Sequence, residues 1–166
     1  MRLYANGVFT PPTNDVLLSG TIANNATKVY RHSSAALTLP DGVIAEVNGA
    51  LNFNGNDAVA LYKISSSSNV DIFGQISFAP SADWQLSGGT NSSVDKTLRR
   101  KSSVVRGIST NPETNGFPTI DTEWDMFDNG TVDGLGAHTF TPVAAGDATQ
   151  TVALGDNLYS FAATGV

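Results

Sequence analysis

LNFNGNDAVALYKI, residues 51–64, decides the reading of the whole chain. Two short apolar runs flank Asn54-Gly55-Asn56-Asp57. Asn-Gly between β-rich runs is the strongest short hairpin signature, because a type I′ turn requires positive φ at both central residues. The expectation is a hairpin pairing Leu51–Phe53 with Val59–Ile64. In the second strand Val59 and Leu61 alternate on one face, which is expected to be buried. Ile72 and Phe73 are expected to join them, with Leu98 nearby.

The same pattern extends outward. Short β-rich runs bounded by Gly, Asn, Pro or Ser recur, and few stretches sustain an i, i+3, i+4 apolar repeat. Further candidate strands are Arg2–Tyr4, Val16–Leu18, Lys28–Arg31, Val70–Gln75, Thr97–Lys101 and Phe140–Pro142. Ser65–Asn69 reads as the loop of a second hairpin. Ser33–Ala36 and Ala79–Trp84 are candidates for single helical turns. Strands at this spacing predict an all-β sandwich rather than βαβ units.

The chain has 166 residues, enough for one domain of ordinary core size. Charged residues make up only 14%, so uncharged polar groups must cover the surface. A net charge of −6 with nine basic residues argues against a nucleic-acid partner for this domain, since that affinity comes largely from Lys and Arg. Cysteine is absent, which excludes thiolate metal sites and a disulfide framework. No run of 18 apolar residues occurs, so no membrane helix is expected, and if the parent protein is exported its signal lies upstream. From Ala137 onward charge nearly vanishes and small residues dominate. Residues 1–140 therefore read as the module, and 141–166 as a linker or an added edge strand.

Catalytic groups are sparse. The only histidines, His32 and His138, lie about a hundred positions apart, and no G-x-S-x-G elbow accompanies the serines after His32. His32 reads as a strand-end residue near a turn. Glu123 and Asp125 flank Trp124 too closely for a glycosidase pair, which needs carboxylates facing each other across a cleft. NFNGND and DNGTVDG are rich in oxygen ligands, but neither has EF-hand spacing. Asp128 and Asp133 are the candidate ligands for an irregular calcium site; no other cofactor is expected. Arg99, Arg100 and Lys101 in TLRRKSS form the one cationic cluster, with Arg100 facing opposite to the other two in a strand. With Trp84 and Trp124 they are the candidate binding residues.

LYANG, LLSGTI, LNFNGNDAVALYK, VDIFGQI, the loop at Trp84, TLRRKSSV, TEWDMF and DGLGAHTF, read in order over about residues 2–140, resemble the lamin tail domain of bacterial exported proteins. The resemblance implies an immunoglobulin-like β-sandwich without catalytic residues, extracellular or at the cell surface. It also implies a binding or scaffolding role beside a hydrolase such as an extracellular nuclease. Its partner would be the neighbouring domain or a cell-surface ligand. Family members begin with a strand pair ahead of the position of Arg2–Tyr4. The expectation is therefore an open edge at Arg2–Tyr4, to be filled by Thr149–Leu154 or by a second copy in a strand-edge dimer. The alternative is part of a metal-assisted nucleic-acid hydrolase using Asp128, Asp133 and His138.

Overall fold

The computed structural model describes residues 1–113 and 116–141, and the backbone of two further strands at 149–154 and 157–162. The protein is all-β. Four strands form the main sheet: β1 (Arg2–Tyr4), β2 (Asn14–Asp15), β5 (Ala58–Lys63) and β6 (Ser68–Phe73), in the order β2-β1-β5-β6. A parallel pair joins β3 (Val29–Arg31) to β4 (Ala45–Val47). An antiparallel ribbon joins β7 (Lys96–Arg100) to β8 (Trp124–Asp128), and the four-residue helix α1 (Ile120–Glu123) leads directly into β8. No helix among the described residues is long and apolar enough to cross a membrane.

The β5–β6 hairpin forms at the expected loop. Ile64–Ser66 makes a single 3-10 turn and Ser67, at φ 50°, reverses the chain. The hairpin expected at Asn54-Gly55 does not form. Leu51–Phe53 is not a strand, and β5 pairs with β1 and β6. Instead the chain turns with Asp57 N–H donating to the Asn54 carbonyl at 3.5 Å, and neither Asn54 nor Gly55 has positive φ. Asp57 is the physical reason. Its buried carboxylate accepts from the amides of Asn54 at 3.1 Å and Asn6 at 3.0 Å, tying the turn to the end of β1 rather than to a neighbouring strand. Gly55 is needed here for close approach: a Cβ would lie 2.9 Å from Cα of Val94.

The inward row of β5 is also the opposite of the expected one. Ala58 and Ala60 are buried, whereas Val59 is half-buried and Leu61 is 45% exposed. Both rows of this strand are apolar, so alternation alone does not choose between them. The choice is made by what packs on the sheet. Tyr4, Ile72, Ile76, Trp84, Phe117 and Ile120 form one cluster with the two alanines, and small side chains on β5 leave room for the large ones. Ile72 is in the core as expected, with Phe73 and Leu98 packed against it.

Other expectations shift. Val16–Leu18 is not a strand; the strand in this region is β2, which ends at Asp15. The amide of Val16 donates to the Met1 carbonyl at 2.8 Å. Ser33–Ala36 makes only a turn, closed by Ala35 N–H to the His32 carbonyl at 3.1 Å, and Ala79–Trp84 is not helical. Phe140 is not in a strand, and Pro142 lies outside the described residues. β1 has no open edge, since β2 flanks it on one side and β5 on the other. Thr149–Leu154 (β9) pairs instead with Asn157–Ala162 (β10). The dimer argued from an open β1 edge therefore loses its premise.

Candidate functional site

The cationic stretch of β7 lies where the ribbon meets the main sheet. Arg100 reaches inward. Its guanidinium donates to both oxygens of Asp71 on β6, at 3.1 Å for Nη2 to Oδ1, and lies 3.5 Å from Glu123 Oε2 and 4.7 Å above the Trp124 ring. Arg99 takes the opposite side, stacking 4.5 Å over Phe127 and donating through Nη2 to the Asp133 carbonyl. Lys101, just past β7, donates from Nζ to the Asp121 carbonyl at 2.8 Å. The three cations thus hold strand to strand and strand to loop, each with an acceptor of the fold itself.

Beside them lies a cleft of about 260 Å³, into which the loop after β8 brings His138 and Thr139 opposite Arg99, Lys101 and Asp125. Sequence spacing did not bring His138 and the cations together. The turns at Gly134 and Gly136, both with positive φ, fold that loop back onto β7. The proposed metal ligands Asp128 and Asp133 stand at the end of β8 and in the loop after it. The Asp128 side chain is 96% exposed and pairs with Lys96 at 3.2 Å, while Asp133 engages Arg99 through its carbonyl rather than its carboxylate. Among the described residues no group of three His, Cys, Asp or Glu is placed to hold an ion. Glu123 faces Arg100 while Asp125 is exposed; strand alternation would put positions 123 and 125 on one face, but Glu123 ends α1 and only Asp125 lies in β8. His32 accepts at Nδ1 from the Ser34 amide at 3.1 Å and closes its own turn.

The two tryptophans differ. Trp84 is 1% exposed, and its indole N–H donates to the Asp57 carbonyl at 2.8 Å. It lies so close to Gly74, which has φ +79°, that a Cβ there would meet the ring at 2.7 Å. It is thus a core residue and presents no surface to a ligand. Trp124 is half-buried, edge-on to Phe73 and Phe117, with Arg100 over its face.

A carboxylate that sequence reasoning passed over organises this region. Asp121 in α1 accepts at Oδ1 from the amides of Asn91 at 2.8 Å and Thr90 at 2.9 Å. These two bonds hold its carboxyl below the usual carboxylate range, assisted by Lys101. Asn91 answers with its side-chain amide, donating to the carbonyls of Ile120 and Trp124 at 2.8 Å each.

A second cleft was also unforeseen. It measures about 440 Å³ and runs between the Phe53–Gly55 turn and the start of β7, with Phe73 and Leu98 as apolar floor and Asp95, Lys96 and Asn129 at the rim. Phe53 and Val94 are exposed beside it. Only the tertiary fold assembles it, because its residues come from four separate segments. Neither protein-family models, nor curated proteins, nor solved structures give a match to this chain.

Proposed function

We propose that this chain is a non-catalytic binding module, an immunoglobulin-like sandwich of the lamin tail type. It belongs to an exported bacterial protein, where it accompanies a hydrolase such as an extracellular nuclease. The observation that carries the reading is how the reactive side chains are used. Asp57, Asp121, Asp71, Glu123, Arg100 and Lys101 all bond within the fold, so these charges hold strands, helix and loops together, and among the described residues no serine or threonine hydroxyl donates to either histidine. The open surface is instead the mixed apolar and polar groove at Phe53, Leu98 and Lys96, the composition expected of a contact site. The groove contacts a neighbouring domain or a cell-surface ligand. Its exposed aromatic ring and amide-bearing rim suit a glycan.

The test has two arms on the purified protein. Assays on DNA, glycan and ester substrates should give no turnover above background. Amide chemical-shift changes on adding cell-wall oligosaccharides should cluster at Phe53, Lys96 and Asn129. Turnover that disappears in Asp133→Ala or His138→Ala would overturn the non-catalytic reading. Shifts that scatter away from the groove would overturn its assignment as the contact site.

A further inference from the structure

Five Asn-Gly steps occur in the chain, at Asn6, Asn48, Asn54, Asn115 and Asn129. In such a step the backbone nitrogen of the glycine can attack the asparagine side-chain carbonyl carbon. The attack requires a side chain that can rotate and a glycine amide not held by the fold. Four of the steps lack one or both. Asn48 Oδ1 accepts from the Ala50 amide at 2.8 Å. Asn54 Oδ1 accepts from the Asn56 amide at 3.2 Å, with Gly55 wedged against Val94. At Asn6 the exposed side chain is free to turn but the backbone is held, by the Asn6 N–H on Asp57 Oδ1 at 3.0 Å and by Gly7 packed against the backbone of Ala79, so the glycine nitrogen cannot swing toward the side chain. Asn115 lies outside the described residues, but the amide of its Gly116 donates to Gln75 Oε1 at 2.6 Å in the interior.

Asn129-Gly130 is different. It forms the tip of the turn after β8, held from behind by Thr131, whose amide and hydroxyl both donate to the Asp128 carbonyl, at 3.1 and 2.7 Å. Both residues are exposed, and among the described residues the Asn129 side chain makes no hydrogen bond. A Cβ at Gly130 would meet nothing nearer than Leu37 at 4.0 Å. We infer that Asn129 is the site of spontaneous deamidation in this protein. The deprotonated Gly130 nitrogen bonds to Asn129 Cγ, and the side-chain nitrogen takes up a proton and leaves as ammonia. Water then opens the resulting succinimide at either carbonyl, giving aspartate or isoaspartate. Each event adds one negative charge to the net −6, beside the Lys96–Asp128 pair and on the rim of the 440 Å³ groove. The inference stands whether or not that groove binds a ligand.

Peptide mapping by mass spectrometry during storage of the whole folded protein in mildly alkaline buffer tests it. Conversion at Asn129 should exceed that at each of the other four steps by about fivefold or more, the factor expected if each of those must first break a hydrogen bond or a packed contact. In denaturant the five rates should converge, and Asn129→Gln should abolish the early acidic species on ion exchange. Equal rates in the folded protein, or an unchanged ranking in denaturant, would overturn the inference.

Discussion

The regions around the two tryptophans solve the same packing problem in opposite ways. At Trp84 the fold removes side chains: Gly74 and Gly116 lie against the ring, alanines form the strand beneath it, and its one polar atom has a partner. At Trp124 the fold adds charge, capping the ring with Arg100 and balancing that cation with Asp71 and Glu123. The indole N–H of Trp124 and Nε of Arg100 are buried without partners. The first region is specified by shape and the second by electrostatics, so they should fail under different perturbations. Asp121 couples them, because it fastens the loop that carries Trp84 to the helix that precedes Trp124.

The largest effect belongs to the shape-determined region. Trp84→Ala should cost about 3–5 kcal/mol in denaturant unfolding, with no dependence on salt, because it leaves a cavity and orphans the Asp57 carbonyl. A loss below about 1 kcal/mol would mean that this region is not the core. Arg100→Ala should cost less, about 1–3 kcal/mol, since the pair is only partly shielded from water. Here the cost should shrink in high salt, and restoring it by mutating Asp71 as well would show that the unpaired carboxylate, rather than lost packing, is responsible.

Asp121 should give a smaller, pH-confined effect. Its carboxyl is held below the ordinary value of 3.8, so its contribution is complete above that pH and declines as the pH falls towards its own lower value. The Asp121→Asn variant should therefore approach wild-type stability in strong acid and fall short of it at neutral pH; a constant difference across that range would break the proposed coupling. The smallest effect is expected outside both regions. Leu61→Ala should cost about 1 kcal/mol or less, because the side chain is 45% exposed.

Local chemistry made some features legible before any folding was considered. Asn, Ser, Thr and Gly between short apolar runs announce strands and turns, and the Ser65–Asn69 loop was visible because polar residues interrupt two β-rich runs that then pair with each other. His32 was readable as a turn residue for the same local reason. The Asp121 clasp and the Phe53 groove were not readable, since their partners lie some twenty or more positions away and carry no spacing signal. Asn54-Gly55 misled because the hairpin rule is a statement about neighbours in sequence, and here Asp57 binds Asn6, 51 positions away.

What the sequence by itself determined is the class: an all-β chain of short strands, poor in charge and in catalytic groups, with β5 and β6 joined by a local turn. Only the tertiary structure decided which row of β5 is buried, which tryptophan is core, and that the cations of β7 are engaged within the fold. The physical reason is that a strand with two apolar rows has no preferred inside. Its orientation is set by the volume of Trp84, Phe117 and Ile120 arriving from distant segments, and an arginine's role is set by which carboxylates the fold brings within reach.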